Sequence, residues 1–104
     1  MAASVGRAAR RIAYLGPEGT FSEEAALLYR GDEPWELLPL GSIAAVISAT
    51  ETRMADEGVV PIENSLEGSV SATLDILVHE SALLIKRELV VPIHHFLLAR
   101  PGVT

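Results

Sequence analysis

Two loops of this 104-residue chain concentrate the residue types that bind small anions. The first covers residues 16–22 and the second residues 61–69, and each leads into a predicted helix. A helix N-terminus carries free backbone N–H groups and a partial positive charge, which favour a carboxylate. The side chains available for further hydrogen bonds are Thr20, Ser22, Asn64, Ser65 and Ser69. The same residues also fit tight turns and helix caps, so spacing alone leaves both interpretations open.

Other kinds of site find less support in the residues. Neither loop carries the dinucleotide pattern G-x-G-x-x-G or a phosphate loop ending in Gly-Lys-Ser/Thr. The chain has no cysteine, which excludes a thiolate metal site and a cysteine nucleophile. His94 and His95 are adjacent in a predicted strand, so they point to opposite faces and do not share a metal. We therefore predict no metal and no cofactor. Glu63 is either a carboxylate in a cleft or a loop cap.

The composition bounds the class of protein. Hydrophobic residues make up 49% of the chain and charged residues 21%, which indicates a folded domain and not a disordered chain. The net charge of −6 argues against nucleic-acid binding. No apolar run approaches the roughly 20 residues that span a bilayer. Residues 1–11, with three arginines, are expected to be a disordered, solvated tail, and without a secretory signal the protein is expected in the cytoplasm.

Alternating strands and helices are predicted to position the two loops. The predicted strands cover residues 11–15, 35–38, 58–60, 83–89 and 93–99. Helices are predicted to begin at the caps Ser22, Ser42 and Ser69, the first one ending at Gly31. The second helix has an inward face made of Ile43, Val46, Ile47, Thr50 and Met54. This order predicts an α/β fold with a largely parallel sheet and helices on both faces, whose strand ends would carry both loops.

Three stretches resemble the conserved motifs of the prephenate dehydratases. They are residues 12–26 (IAYLGPEGTFSEEAA), residues 59–70 (VVPIENSLEGSV, with TLDIL after it at 73–77), and residues 88–98 (ELVVPIHHFLL). The motifs occur in the order and at the spacing of that family. Together they extend over nearly all of the chain from residue 12 onward.

The resemblance implies an enzyme of phenylalanine biosynthesis, a lyase that converts prephenate to phenylpyruvate with loss of water and carbon dioxide. The family's catalytic domain has two α/β lobes, like a type II periplasmic binding protein, with the active site between them. A regulatory ACT domain usually follows. The resemblance assigns substrate binding to Thr20, Phe21, Asn64 and Ser65, with Gly68 and Ser69 presenting backbone groups. It makes Glu63 a candidate either for orienting the second loop or for proton handling, and it makes His95 a packing residue.

One departure limits what the resemblance implies. The family's catalytic Thr-Arg-Phe motif is missing from these 104 residues. Residues 12–104 are therefore expected to be the first lobe of the catalytic domain, without the second lobe and the ACT domain, and inactive alone. Two alternatives remain: a stand-alone small-anion binding or interaction module without catalysis, and an arogenate dehydratase, which acts on the aminated substrate.

A lobe without its counterpart is expected to expose apolar surface. The sequence places Phe96, Leu97 and Leu98 in such a patch, since they lie near the end of the third motif. Patches of this kind drive self-association, so a homo-oligomer is predicted.

Overall fold

A computed structural model describes residues 10–62, 81–90 and 93–101. The helices and strands of the described residues, in chain order, are β1 (Arg11–Leu15), α1 (Phe21–Arg30), β2 (Glu36–Leu40), α2 (Ile43–Glu51), β3 (Glu57–Pro61), β4 (Leu84–Val90) and β5 (His94–Ala99). The predicted helix after Ser69 lies outside the described residues. So do five predicted site residues: Glu63, Asn64, Ser65, Gly68 and Ser69.

The strands form one mixed sheet in the order β2-β1-β3-β5-β4. β1 pairs in parallel with β2 and β3, whereas β5 runs antiparallel to β3 and to β4. The α/β class is confirmed, but the prediction of a largely parallel sheet is wrong. β4 and β5 are consecutive strands with a short connection, which permits only an antiparallel pair.

The two faces of the sheet carry separate cores. In β1, Ile12 and Tyr14 point to the face covered by α1, and Ala13 points to the face covered by α2. The first core consists of Ile12, Tyr14, Ala25, Ala26, Val59, Leu89 and Leu97. The second consists of Ala13, Val46, Ile47, Ala49, Ala55, Val60, Leu83 and Leu98. The prediction of helices on both faces is therefore confirmed for α1 and α2.

α1 begins two residues earlier than the sequence pattern predicts. Thr20 is its N-cap, because its side chain accepts a hydrogen bond from the Glu23 N–H. The prediction that Ser22 caps the helix is wrong, since Ser22 lies buried in the first turn. Gly19, with a φ of 93°, turns the chain so that Thr20 takes the extended conformation that a cap requires. Gly31 ends α1 as predicted, donating its N–H to the Leu27 carbonyl.

α2 starts at its predicted cap and ends sooner than its predicted face. The Ser42 side chain accepts from the Ala45 N–H at 3.0 Å. Met54 lies beyond the helix end at Glu51 and is 52% exposed, so its assignment to the buried face is wrong. β2 continues through Pro39, which an edge strand tolerates because its outer side makes no ladder hydrogen bonds.

The expected apolar patch is not where the sequence predicted it. Leu97 and Leu98 are fully buried, one in each core, because β5 lies between β3 and β4. Phe96 is half-buried against the second core, and the exposed apolar side chains on β4 and just before β5 are Leu84, Ile85, Val90 and Ile93. The homo-oligomer itself stays a prediction.

The folded part reaches into the predicted tail. Arg11 is the first residue of β1, and the Arg10 guanidinium lies 4.3 Å from the centre of the Trp35 ring. Both residues therefore contribute to the domain. Neither α1 nor α2 has the length and hydropathy that a membrane crossing requires, within the part of the chain that the structure describes.

Candidate functional site

The two motif loops start side by side. β1 and β3 are parallel neighbours in which Tyr14 pairs with Val59, so the loops that follow the two strands leave the same edge of the sheet. From β1 the chain continues through α1 to β2, which lies on one side of β1 in the sheet. From β2 it returns through α2 to β3, which lies on the other side of β1. Such a reversal of strand order opens a crevice at the carboxyl ends of the strands, where α/β proteins bind ligands.

A cleft of about 500 Å³ lies at this edge, over the ends of β1 and β2. Its lining residues are Gly16, Pro17, Glu18, Pro39, Leu40 and Gly41. The Gly16 N–H donates to the Leu40 carbonyl at 2.8 Å and joins the two walls. A Cβ on Gly16 would stand 3.1 Å from the Pro39 Cβ, which is a tight contact, so this close approach favours glycine.

The wall formed by residues 39–41 was not among the predicted site residues. A signal for it exists in the sequence: a strand that ends in Gly41-Ser42 at the start of a helix. The first loop shows the same arrangement of strand, glycine, hydroxyl cap and helix. Both walls of the cleft are therefore built by one kind of local structure.

Thr20 shapes the first loop. Its hydroxyl donates to the Leu15 carbonyl at 3.0 Å and accepts from the Glu23 N–H at 3.2 Å. The Glu23 carboxylate in turn accepts from the Gly19 N–H at 2.8 Å. These reciprocal bonds form a box that fixes the start of α1. The hydroxyl proton of Thr20 is thus used within the protein, and its contact with substrate stays a prediction.

Phe21, the other predicted site residue in the described part of the first motif, begins α1. Its side chain is 50% exposed, and it is not among the residues that line the cleft. Its role in substrate binding also stays a prediction.

Ser22 and His95 form a buried pair behind the first loop. His95 is fully buried, with Nδ1 2.9 Å from the Ile93 carbonyl oxygen and Nε2 3.2 Å from the Ser22 hydroxyl oxygen. A carbonyl only accepts, so Nδ1 carries the proton and the Ser22 hydroxyl donates to Nε2. Burial lowers the pKa of His95 below its usual 6.5, against the opposing effect of the Ile93 carbonyl.

The Ser22–His95 pair has the composition of a nucleophile and its base. Both side chains are nevertheless enclosed in the protein, with Ser22 only 4% exposed. The pair instead ties the first turn of α1 to β5, so we assign it to positioning of the loop. This agrees with the prediction that His95 is a packing residue.

Negative charge surrounds the end of β1. Burial raises the pKa of the Tyr14 hydroxyl, and the carboxylates of Glu23 and Glu18 raise it further. Glu18 is exposed on the rim of the cleft. A ligand carboxylate on this side of the cleft would be repelled by the carboxylates of Glu18 and Glu23.

The two adjacent histidines point to opposite faces, as predicted. His95 is buried, and the exposed His94 contacts the Glu88 carboxylate on the neighbouring strand. Within residues 10–62, 81–90 and 93–101, no three side chains come together as metal ligands would.

The opposite edge of the sheet holds a network of charged and aromatic side chains. Glu57 is fully buried at the start of β3, and its carboxylate accepts from the Lys86 Nζ at 2.6 Å. Lys86 also lies 3.3 Å from the Tyr29 hydroxyl, and Arg10 lies 3.9 Å from Glu57. The hydrogen bond to Glu57 raises the pKa of Lys86. Nothing in the sequence pattern distinguishes Glu57 from a surface acid.

Comparison with known proteins agrees with this fold. The model of the prephenate dehydratase family matches residues 12–104. The chain therefore belongs to the prephenate dehydratase family. It is 44% identical over 89 residues to the bifunctional chorismate mutase/prephenate dehydratase of Aquifex aeolicus, with 86% of this chain and 24% of that protein covered. It is 42% identical over 95 residues to the prephenate dehydratase of Amycolatopsis methanolica, covering 89% of this chain and 30% of the relative.

Solved structures show the same fold. The prephenate dehydratase of Streptococcus mutans superposes with a TM-score of 0.78 at 36% identity, covering 91% of this chain and 52% of that one. A structure described as GqqA, a novel type of quorum quenching acylase, superposes with a TM-score of 0.72 at 29% identity, covering 91% of this chain and 50% of that one. The chain thus spans roughly a quarter to a third of the two curated relatives, and about half of each of these two solved chains.

Proposed function

We propose that this chain supplies the first lobe of a prephenate dehydratase, a lyase that converts prephenate to phenylpyruvate. The observation that carries the proposal is the position of the first motif, residues 12–26. In a chain that the family model matches from residue 12, this motif forms β1, the wall of the cleft and the start of α1. The cleft lies where open α/β sheets bind ligands.

The reaction places demands that the cleft meets only in part. Prephenate carries two carboxylates, and its ring hydroxyl leaves as water, which requires a proton donor within hydrogen-bond reach. The described residues provide an open, mostly apolar cleft with one carboxylate, that of Glu18, on its rim. We therefore propose that Asn64 and Ser65 bind carboxylate, that Gly68 and Ser69 add backbone groups, and that Glu63 orients this second loop. A second lobe, arranged as in type II periplasmic binding proteins, would close over the site and supply the catalytic proton donor.

The proposal is tested by a chimera. The aligned segment of the Amycolatopsis methanolica enzyme, 95 residues long, is replaced by the matching segment of this chain. We expect the chimera to form phenylpyruvate well above the rate at which prephenate converts without enzyme. Asn64→Ala should reduce the kcat/KM of the chimera by at least about tenfold. The matched control is Ser48→Ala on the exposed side of α2, which should retain full activity. A folded chimera without turnover contradicts the proposal.

The same chimera separates the alternatives. If the lobe comes from an arogenate dehydratase, the kcat/KM for arogenate relative to that for prephenate should be higher in the chimera than in the Amycolatopsis enzyme. A stand-alone binding module would leave the chimera inactive, while the 104-residue chain would still bind a small carboxylate.

A second candidate function is acyl-group hydrolysis. The observation that favours it is the likeness to the quorum quenching acylase, together with a cleft whose lining is mostly apolar. Against it, the Ser22–His95 pair is enclosed and therefore not placed to attack an acyl group. Hydrolysis of a panel of N-acyl amides by the 104-residue chain decides the matter, with Ser22→Ala testing whether that pair takes part.

A further inference from the structure

We propose that the wall formed by Pro39, Leu40 and Gly41 receives the uncharged ring of the substrate, and that Gly41 limits the size of the group that fits. This inference rests on the proposed function, because it assigns one part of the substrate to one part of the cleft. Different residues would then bind different parts of the substrate: the described cleft binds the ring, and other residues bind the carboxylates.

The chemistry of the lining supports this division. Five of the six lining residues are Gly, Pro or Leu, and the sixth is the acidic Glu18. An apolar wall gains free energy by removing ring carbons from water. A carboxylate placed there would find no cation among the lining residues, and it would be repelled by Glu18.

The hydroxyl groups of the first loop are also committed within the protein. Thr20 donates its proton to the Leu15 carbonyl, and Ser22 is hydrogen-bonded to His95. On the α2 side of the cleft, the Ser42 side chain accepts from the Ala45 N–H. A substrate carboxylate at the first loop would have to displace the bond of Thr20 or of Ser22, whereas a ring would displace neither.

Gly41 is the position at which size can be changed without disturbing the fold. A Cβ added there meets no atom within 4 Å. Its φ is not positive, since Gly19 and Gly31 are the glycines with positive φ among the described residues. A larger side chain at residue 41 is therefore compatible with the backbone, and it extends into open space beside the cleft that Gly41 lines.

The test uses ¹⁵N-labelled 104-residue chain and two probes. Phenylpyruvate carries a ring and an α-keto carboxylate, whereas pyruvate carries the same carboxylate without the ring. We expect phenylpyruvate to shift the amide signals of Gly16 and Gly41, and pyruvate to leave them in place. Gly41→Leu should raise the Kd for phenylpyruvate by at least about tenfold, as expected for filling a hydrophobic pocket. Ser48→Leu, the same side chain on an exposed α2 position, should leave the Kd unchanged.

Three results overturn the proposal: pyruvate shifting both glycines as strongly as phenylpyruvate, phenylpyruvate shifting neither, or Gly41→Leu leaving the Kd unchanged. The chimera gives an independent readout, in which Gly41→Leu should raise KM for prephenate more than it lowers kcat. If the chimera is active and its KM is unchanged by Gly41→Leu, the assignment of the wall is overturned and the proposed function is not. A folded chimera without turnover counts against the proposed function, and the phenylpyruvate titration still decides the assignment of the wall.

Discussion

The two edges of the sheet are built differently. At the carboxyl edge, where β1, β2 and β3 end, a cleft is lined mostly by glycines and prolines, and Gly41 faces open space. The hydrogen bonds at this edge hold the loops in shape. At the amino edge, where β1 and β3 begin, Glu57 is buried beside Lys86 and Tyr29, and the Arg10 guanidinium stacks on the Trp35 ring. The first edge leaves room for a ligand, and the second fills its space with paired charges and rings. We therefore propose that binding and stability belong to opposite edges of one sheet.

The largest effect on stability is expected from Lys86→Met. The substitution leaves the buried carboxylate of Glu57 with the more distant Arg10 as its cation. Removing one partner of a buried pair should cost about 2–4 kcal/mol of the free energy of unfolding. Urea denaturation measures this, with Ser48→Met on the exposed side of α2 as the control and Lys86→Met/Glu57→Gln as the variant that recovers part of the loss. An unchanged midpoint for Lys86→Met would refute a stabilising amino edge.

Gly58→Ala tests close packing near the same edge. A Cβ at Gly58 would stand 2.5 Å from the Thr50 Oγ1 and 3.0 Å from the Val46 Cγ1, so β3 or α2 must shift. Overpacking of this kind should cost about 1–3 kcal/mol. The cleft provides the matched glycine: Gly41→Ala should cost less than about 0.5 kcal/mol. Equal losses in thermal unfolding would mean that the two edges do not differ in packing.

Thr20→Ala addresses the shape of the cleft edge. The variant loses the N-cap bond to Glu23 and the bond to Leu15. Loss of a cap should lower the free energy of unfolding by about 1 kcal/mol, and Thr20→Ser should restore most of it. If Thr20→Ala keeps full stability but the chimera loses activity, Thr20 contacts substrate and is not primarily a cap.

The smallest effect is a pH dependence carried by His95. Burial lowers its pKa in the folded state below the usual 6.5, so the unfolded chain binds the proton more readily. The contribution is fully present above pH 6.5 and is lost as the pH falls from there through the folded-state pKa. Urea midpoints between pH 7 and pH 5 should therefore fall for the wild type and less for His95→Gln. A flat wild-type profile would mean that His95 contributes no pH dependence to stability.

Much of this fold follows from local signals. The first strand, the end of α1 at Gly31 and the start of α2 at Ser42 depend on glycine, caps and apolar runs, which act over a few residues. The short connection between β4 and β5 already implies that this pair is antiparallel. The pairing of β5 with β3 depends instead on long-range contacts, which the apolar run of β5 does not specify. The choice of Thr20 over Ser22 as cap depends on the backbone that Gly19 imposes.

The site divides in the same way. Motif resemblance indicated the first loop, and the adjacent parallel strands β1 and β3 place the starts of both loops together. The wall at residues 39–41 depends on β2 lying beside β1, which no local pattern reports. The burial of Glu57 likewise depends on Lys86, which lies on a strand 29 residues further along the chain.

The most direct test of the division between the two edges measures two quantities on two variants. For Gly41→Leu we predict a phenylpyruvate Kd raised at least about tenfold with an unchanged urea midpoint. For Gly58→Ala we predict a lower midpoint with an unchanged Kd under conditions where the protein stays folded. If Gly41→Leu loses stability in proportion to its affinity, or Gly58→Ala loses affinity while folded, binding and stability are not separated between the two edges of the sheet.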